Sequence, residues 1–160
     1  MPNRSSESDT ALAPDAPAAA EYERDFYSWA LEQAQLVRES RWGAIDRDNV
    51  AEEIESLGRE QFAKLRSALR VLLMHMLKWD HQPERRSRSW TLSIQAQRVE
   101  LDDVLDGNPG LKPRIAEAVA KAYRGAVIEA MQETGLEKKH FPEQCPYIFE
   151  EITTREFAPP

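Results

Sequence analysis

Apolar residues recur along this chain at steps of three and four, which is the period of an α-helix. Tyr22, Phe26, Trp29 and Leu36 form the first such stripe, and they predict a helix over residues 22–40. No convincing period-two alternation of apolar and polar residues appears anywhere in the sequence. We therefore expect helices and no strands.

A longer stripe runs from Val50 to Met76 and predicts a second helix over about residues 49–80. An unbroken helix of this length spans roughly 48 Å, at about 1.5 Å per residue. Gly58 interrupts the stripe and suggests a bend, and Pro83 ends the helix because proline disfavours helical geometry in the residue before it. Three candidate N-cap residues precede the stripe: Asp46, Asp48 and Asn49.

Two further helices follow in the second half of the chain. The third begins somewhere between residues 83 and 89, and the turn sequence DGNPG at residues 106–110 ends it. The fourth starts near Lys112 or Pro113, and Gly135 is the expected residue just past its end. Each of these helices carries its own apolar stripe.

Four amphipathic helices with short connections bury their apolar faces by packing on one another. We therefore predict an all-α, single-domain helical bundle of about four main helices, with a long second helix. The C-terminal tail should pack across this bundle and form a short helix near residues 146–152. The domain should cover residues 21–160, because residues 1–20 are rich in Ser, Pro, Asp and Ala and suit a disordered tail.

Composition narrows the classes of function. The net charge of −7 disfavours a nucleic-acid binder, since any polyanion would have to meet a local basic patch. No uninterrupted apolar run reaches 18 residues, so no membrane span is predicted. Cys145 is the single cysteine, which excludes an internal disulfide and favours a reducing, cytoplasmic location.

One stretch, LLMHMLKWDHQPERRSRSW at residues 72–90, places a basic cluster beside an apolar run. Arginine presents a planar fork of donors that matches carboxylate or phosphate, and it also stacks on aromatic rings. The candidate site residues in this stretch are His75, Trp79, His81, Arg85, Arg86, Arg88 and Trp90. Two interpretations stay open: a structural clasp for the C-terminal tail, or a binding site for an anion.

The charges along the chain bear on this choice. Residues 78–98 hold five basic and two acidic residues, a net charge of +3, whereas residues 46–60 hold two basic and six acidic, a net charge of −4. In an antiparallel pair of helices these segments would lie some 40 Å apart, at about 1.5 Å per residue. The partners of the arginines should therefore come from the first helix, the tail, a second protomer or a ligand.

The other polar residues do not form a chemical motif. His75 and His81 are six residues apart and do not share a helix face, and together with His140 and one cysteine they supply no usual zinc site. We expect His75 to be hydrogen-bonded in the core, His81 to lie in a turn and Cys145 to be a packing residue. No metal, cofactor or catalytic residue is predicted.

Four segments carry a family resemblance: ERDFYSWALEQAQLVR, NVAEEIESLGR, LLMHMLKWDHQPERRSRSW and FPEQCPYIFEE. In this order, they resemble a bacterial family known as domain of unknown function 29, over residues 22–157. The resemblance implies an all-helical fold. It implies no established activity, so no catalytic residue is transferred from it.

Two classes of function follow. The leading hypothesis is a non-enzymatic interaction or adaptor module that presents a helix face or its tail to a protein partner or forms a homodimer. The alternative is an enzyme or small-ligand-binding domain that holds an anionic ligand with Arg85, Arg86 and Arg88 and with His75 or His81. Nucleic-acid binding ranks third, because a patch of +3 neutralises few phosphates.

Overall fold

The computed structural model describes residues 21–158, and the regular structure within that range is helical with no strand. The all-α prediction is confirmed. The main helices are α1 (Phe26–Arg38), α2 (Arg47–His81), α3 (Arg88–Gly107), α4 (Ile115–Thr134) and α5 (Phe149–Thr154). The predicted disordered tail, residues 1–20, lies outside the described residues.

The chain forms two compact units, with a boundary between Ser56 and Leu57. That boundary falls inside α2 and not in a linker. The prediction of one domain over residues 21–160 stays a prediction.

The smaller unit is a helical hairpin, in which α1 and the start of α2 run antiparallel. Trp29 donates its indole Nε1 to Asp46 Oδ2 at 3.2 Å, and the Asp46 backbone N–H donates to Gln33 Oε1 at 2.9 Å. At the open end, the Tyr22 hydroxyl donates to Glu53 Oε1 at 2.5 Å. We call residues 21–56 the acidic hairpin, because they hold ten acidic and four basic residues, a net charge of −6.

The ends of α1 and α2 follow local side-chain chemistry. Asp25 caps α1 by accepting a hydrogen bond from the Ser28 backbone N–H at 3.1 Å. Asp46 directly precedes α2 and accepts from the Asn49 side chain at 2.7 Å. α2 thus begins two residues before the expected Asn49 and passes through Gly58 as continuous helix.

The larger unit contains most of the buried apolar side chains. α2 contributes a stripe from Leu65 to Leu77, and α4 contributes small buried side chains, those of Ala118, Ala122, Ala126 and Ala130. The fully buried large side chains are Leu65, Leu69, Leu72, Leu73, Met76, Leu77, Ile94, Leu101 and Ile152. This core therefore joins α2, α3 and the C-terminal tail.

The predicted ends of α3 and α4 are also present. Ser87 caps α3, with its hydroxyl accepting from the Trp90 backbone N–H at 3.4 Å. Gly135 follows α4 in the left-handed conformation, with φ of 72°, as a residue past a helix end often does. The segment between α3 and α4 forms a 3₁₀ helix at Pro109–Arg114.

The C-terminal tail packs on the larger unit, as predicted, through both apolar and polar contacts. Ile152 is fully buried and Phe157 is nearly so. The Phe157 ring meets the Trp79 ring edge-on, with centroids 5.4 Å apart. Its helix α5 begins three residues later than expected, where Glu151 accepts a hydrogen bond from the Ile148 backbone N–H at 3.0 Å.

Candidate functional site

The three arginines of the basic cluster differ in their surroundings. Arg86 donates from Nε to the Trp79 carbonyl at 2.9 Å, and its guanidinium lies 5.1 Å from the centre of the Trp79 ring. Arg85 ends a 3₁₀ turn, Arg88 is the first residue of α3, and both are exposed. The structure thus brings Arg86 and Trp79 together and leaves Arg85 and Arg88 at the surface.

Trp90, the other tryptophan of the cluster, packs against a different cation. The ammonium of Lys78 lies 4.4 Å from the centre of the Trp90 ring, and the same Nζ forms an ion pair with Glu133 of α4. Lys78 is buried, which is rare for lysine unless the charge is paired. The Lys78 contacts join the end of α2 to the start of α3, which carries Trp90, and to the end of α4, which carries Glu133.

The two histidines do not converge. His75 lies one turn before Lys78 on α2, and within residues 21–158 its buried Nδ1 has no hydrogen-bond partner. Burial lowers the pKa of His75, the Lys78 charge lowers it further, and the Glu133 charge opposes this shift. The His81 ring instead packs edge-on against Phe141, with centroids 4.9 Å apart. The expected hydrogen bond of His75 is therefore absent among the described residues.

The tail is held by a residue that the sequence did not single out. Asp80 accepts from both terminal nitrogens of Arg155, at 2.9 and 2.6 Å, and from the Tyr147 hydroxyl at 2.7 Å. Burial alone would raise the pKa of Asp80, but the hydrogen bonds from Arg155 and Tyr147 hold it below its ordinary value. The clasp interpretation expected arginines after α2 to bind the tail. The observed ion pair has the opposite arrangement, with the carboxylate on α2 and the arginine in the tail.

Arg98 of α3 makes the second polar attachment of the tail. Its Nε donates to the Ile152 carbonyl at 2.9 Å and its Nη2 to the Arg155 carbonyl at 2.8 Å. Its guanidinium also lies 5.5 Å from the centre of the Phe157 ring. Arg98 thus binds tail carbonyls, but it lies ten residues beyond Arg88 and was not among the predicted site residues. A clasp role for Arg85, Arg86 and Arg88 stays a prediction. An anion-binding role for Arg85 and Arg88 stays a prediction.

Cys145 has the environment of a packing residue. It is half-buried beside an open groove of about 610 Å³ between α4 and the tail, and its thiol donates to the Tyr147 carbonyl at 3.6 Å. Burial raises the pKa of the thiol, which disfavours the nucleophilic thiolate. The Tyr123 hydroxyl at the same groove donates to the Pro142 carbonyl at 2.7 Å, so it is also occupied.

The acidic hairpin exposes large apolar side chains. Trp29, Gln33 and Leu36 form the buried face of α1. Tyr27 and Leu31, which are 74% and 55% exposed, lie four residues apart on the opposite face of the helix. The other large apolar side chains exposed in the hairpin are Phe26, Val37, Trp42 and Ile54. Of the apolar stripe predicted for this helix, Trp29 and Leu36 are buried, whereas Phe26 is exposed, and periodicity gave no warning of a second apolar face.

Among residues 21–158, no group of three or more His, Cys, Asp or Glu side chains is placed to hold a metal ion. No helix in this range combines the length and the apolar content that a membrane crossing needs.

The family model "Domain of unknown function DUF29" matches residues 21–158, which is nearly the whole chain. The chain belongs to the DUF29 family. The match covers all four segments that carried the resemblance in the sequence. No curated protein and no solved structure matches the chain.

Proposed function

We propose that this DUF29 chain is a non-enzymatic protein-interaction module and that the acidic hairpin carries its binding face. The observation behind the proposal is the imbalance within residues 21–56. Only Trp29 and Leu36 are buried apolar side chains there, while six large apolar side chains are exposed. A helix with apolar side chains on both faces is typical of one that is covered on both faces.

Charge indicates the chemistry of the partner. The hairpin carries a net charge of −6, so a basic surface is attracted and an acidic one repelled. The partner that fits is therefore a segment of another protein chain with apolar and basic residues on the same face, such as a basic amphipathic helix.

A synthetic amphipathic helix of Leu and Lys tests the proposal by isothermal titration calorimetry. A matched control peptide keeps the same Leu positions and carries Glu in place of Lys. We expect the Lys peptide to bind and the Glu peptide not to bind. The variant Tyr27→Ser/Leu31→Ser should weaken binding of the Lys peptide more than tenfold, since burying one such apolar side chain is worth about 1.5–3 kcal/mol.

The control variant is Ile128→Ser, which removes a comparably exposed apolar side chain of α4 at 57% exposure. Its affinity for the Lys peptide should equal that of the parent. Undiminished binding by Tyr27→Ser/Leu31→Ser, or equal binding of the two peptides, would show that the hairpin face is not the binding surface.

A further inference from the structure

The outer face of α3 carries a short apolar stripe with a positive charge at one end and a negative charge at the other. Leu92, Ala96 and Val99 follow one another at steps of four and three, and Arg88 and Asp103 extend the same line by one step at each end. At about 100° per residue, the five side chains lie within about 80° of one another around the helix. All five are exposed, and we call them the α3 stripe.

The charges of α3 run against the dipole of the helix. Residues 84–88, around its start, hold three arginines and one glutamate, a net charge of +2, whereas residues 100–106, near its end, hold four acidic residues and no basic one. The first turn of α3 accordingly has no acidic residue and its last turn has no basic one. An isolated helix is stabilised by the reverse arrangement, so the stability of α3 by itself does not explain these charges.

The α3 stripe is complementary to a second copy of itself. Leu92 and Val99 have the same midpoint along the helix as Arg88 and Asp103, between residues 95 and 96. When two such helices lie antiparallel around that midpoint, Leu92 of one copy meets Val99 of the other, and Arg88 meets Asp103. Within residues 21–158, Arg88 and Asp103 form no ion pair and no side-chain hydrogen bond, so both charges are available for this contact.

We infer that the α3 stripe is the contact between two copies of this chain, packed antiparallel about a two-fold axis. Two ion pairs between Arg88 and Asp103 then flank the apolar contacts of Leu92, Ala96 and Val99. The contact lies within one helix and does not use the acidic hairpin, so the inference goes beyond the proposed function and is independent of it. A single pair of helices is small for a specific interface, and the dimer should therefore be weak.

The first measurement is the molar mass of the full chain by light scattering at increasing protein concentration. We expect a monomer at low concentration and a dimer at high concentration, with a dissociation constant that rises with salt, because salt screens exposed charges. A molar mass that stays that of the monomer up to about 1 mM would overturn the inference.

Charge reversal tests the antiparallel register. Arg88→Glu places a glutamate opposite Asp103 of the other copy, and Asp103→Arg places an arginine opposite Arg88, so the dissociation constant of either variant should rise at least tenfold. The variant that carries both substitutions again has opposite charges facing each other at both ends, and it should dimerise like the parent. An equimolar mixture of the two single variants should also dimerise. Single variants that associate as tightly as the parent, or a double variant as weak as the single ones, would contradict the inference.

The matched control is Arg66→Glu, which reverses an exposed charge of α2 and changes the net charge as Arg88→Glu does. Its dissociation constant should equal that of the parent. A tenfold rise in this variant as well would show that overall charge, and not the α3 stripe, governs association, and the inference would fail.

The fold of the variants and the proposed function are checked separately. Arg88→Glu and Asp103→Arg each introduce a charge that the helix dipole favours, so thermal unfolding at a concentration where the parent is monomeric should show no loss of stability. A parent chain that stays monomeric but binds the Leu and Lys peptide would contradict only the present inference. A parent chain that dimerises but does not bind the peptide would contradict only the proposed function.

Discussion

His75 is placed where a protonated imidazole is disfavoured. Its Nδ1 is buried, and the Lys78 ammonium lies one turn further along the same helix. Glu133 from α4 is the opposing charge, but its carboxylate is already paired with Lys78. Burial and the lysine therefore dominate, and the folded protein holds the pKa of His75 below 6.5.

This arrangement predicts a stability that depends on pH below neutrality. With its pKa lowered on folding, His75 takes up a proton more readily in the unfolded chain, so the free energy of unfolding should fall as pH drops below 6.5. The slope due to one proton is at most about 1.4 kcal/mol per pH unit. Urea unfolding of the parent and of His75→Gln between pH 7.5 and 5 measures it.

The parent should lose more stability than His75→Gln over that range. The matched control is His140→Gln, which changes an exposed histidine outside the core and should follow the parent. Identical pH profiles for the parent and His75→Gln would refute the assigned role of His75.

Asp80 is the residue on which the polar attachment of the tail depends most. Asp80→Asn removes the charge that Arg155 and Tyr147 bind, and we expect a loss of about 1–2 kcal/mol at pH 7, since the pair is partly solvent-screened. Asp103→Asn, an exposed carboxylate of α3, is the control and should change stability by less than about 0.5 kcal/mol.

The sign of the pH effect follows from the lowered pKa of Asp80. Its carboxylate stabilises the fold above its unfolded pKa of 3.8, and this stabilisation is lost as pH falls through the lower folded value. The difference between the parent and Asp80→Asn should therefore narrow in acid. A difference that stays constant down to pH 2.5 would mean that the charge of Asp80 is not what holds the tail.

Local spacing explains which contacts the sequence could predict. Arg86 and Trp79 are seven residues apart across a proline turn, so their proximity follows from the break at Pro83. Asp80 and Arg155 are 75 residues apart, and no periodicity relates them. Their pairing depends on the path of the tail, which tertiary packing decides.

At the scale of elements, the glycines of the helices have different reasons to be there. Gly58 lies inside α2, and a Cβ added to it would meet nothing within 4 Å. Gly125 lies inside α4, where an added Cβ would be 2.8 Å from Cδ of Arg70. The absent side chain at Gly125 lets Arg70 cross α4 and pair with Glu129.

The two positions therefore predict opposite effects of the same substitution. Gly58→Ala should stabilise the protein by about 0.5–1 kcal/mol, because alanine loses less backbone entropy in a helix. Gly125→Ala gains the same propensity but displaces Arg70, so its net effect should be smaller or destabilising. Thermal unfolding monitored by circular dichroism compares them. Equal stabilisation by both substitutions would show that Arg70 moves aside without cost.

Helix positions were more predictable than helix neighbours. Proline, glycine and capping residues act within a few positions of where they stand, so the ends of α3 and α4 fell close to Ser87 and Gly135. The stripe that continued through Ile54 and Leu57 predicted buried side chains, yet both are exposed. The spacing of apolar residues identifies an apolar face of a helix, but it does not show which other element covers that face.

For the whole molecule, the uneven distribution of buried side chains predicts uneven local stability. Trp29 and Leu36 are the buried apolar residues of the described part of the acidic hairpin, whereas the remaining core residues belong to the larger unit. Local opening requires less free energy where fewer apolar contacts are lost. Amide protons of α1 should therefore exchange faster than those of the middle of α2.

Hydrogen exchange of the full chain, followed by mass spectrometry, measures this difference. Peptides covering Phe26–Arg38 should exchange at least about tenfold faster than peptides around Leu69 and Leu72, which are fully buried. Binding of the Leu and Lys peptide should slow exchange in α1, so the comparison is repeated with and without that peptide. Protection of α1 that rises with the peptide in the parent, and not in Tyr27→Ser/Leu31→Ser, would locate the contact on the hairpin. Equal protection of α1 and α2 in the absence of the peptide would mean that the hairpin is as stable as the core without a partner.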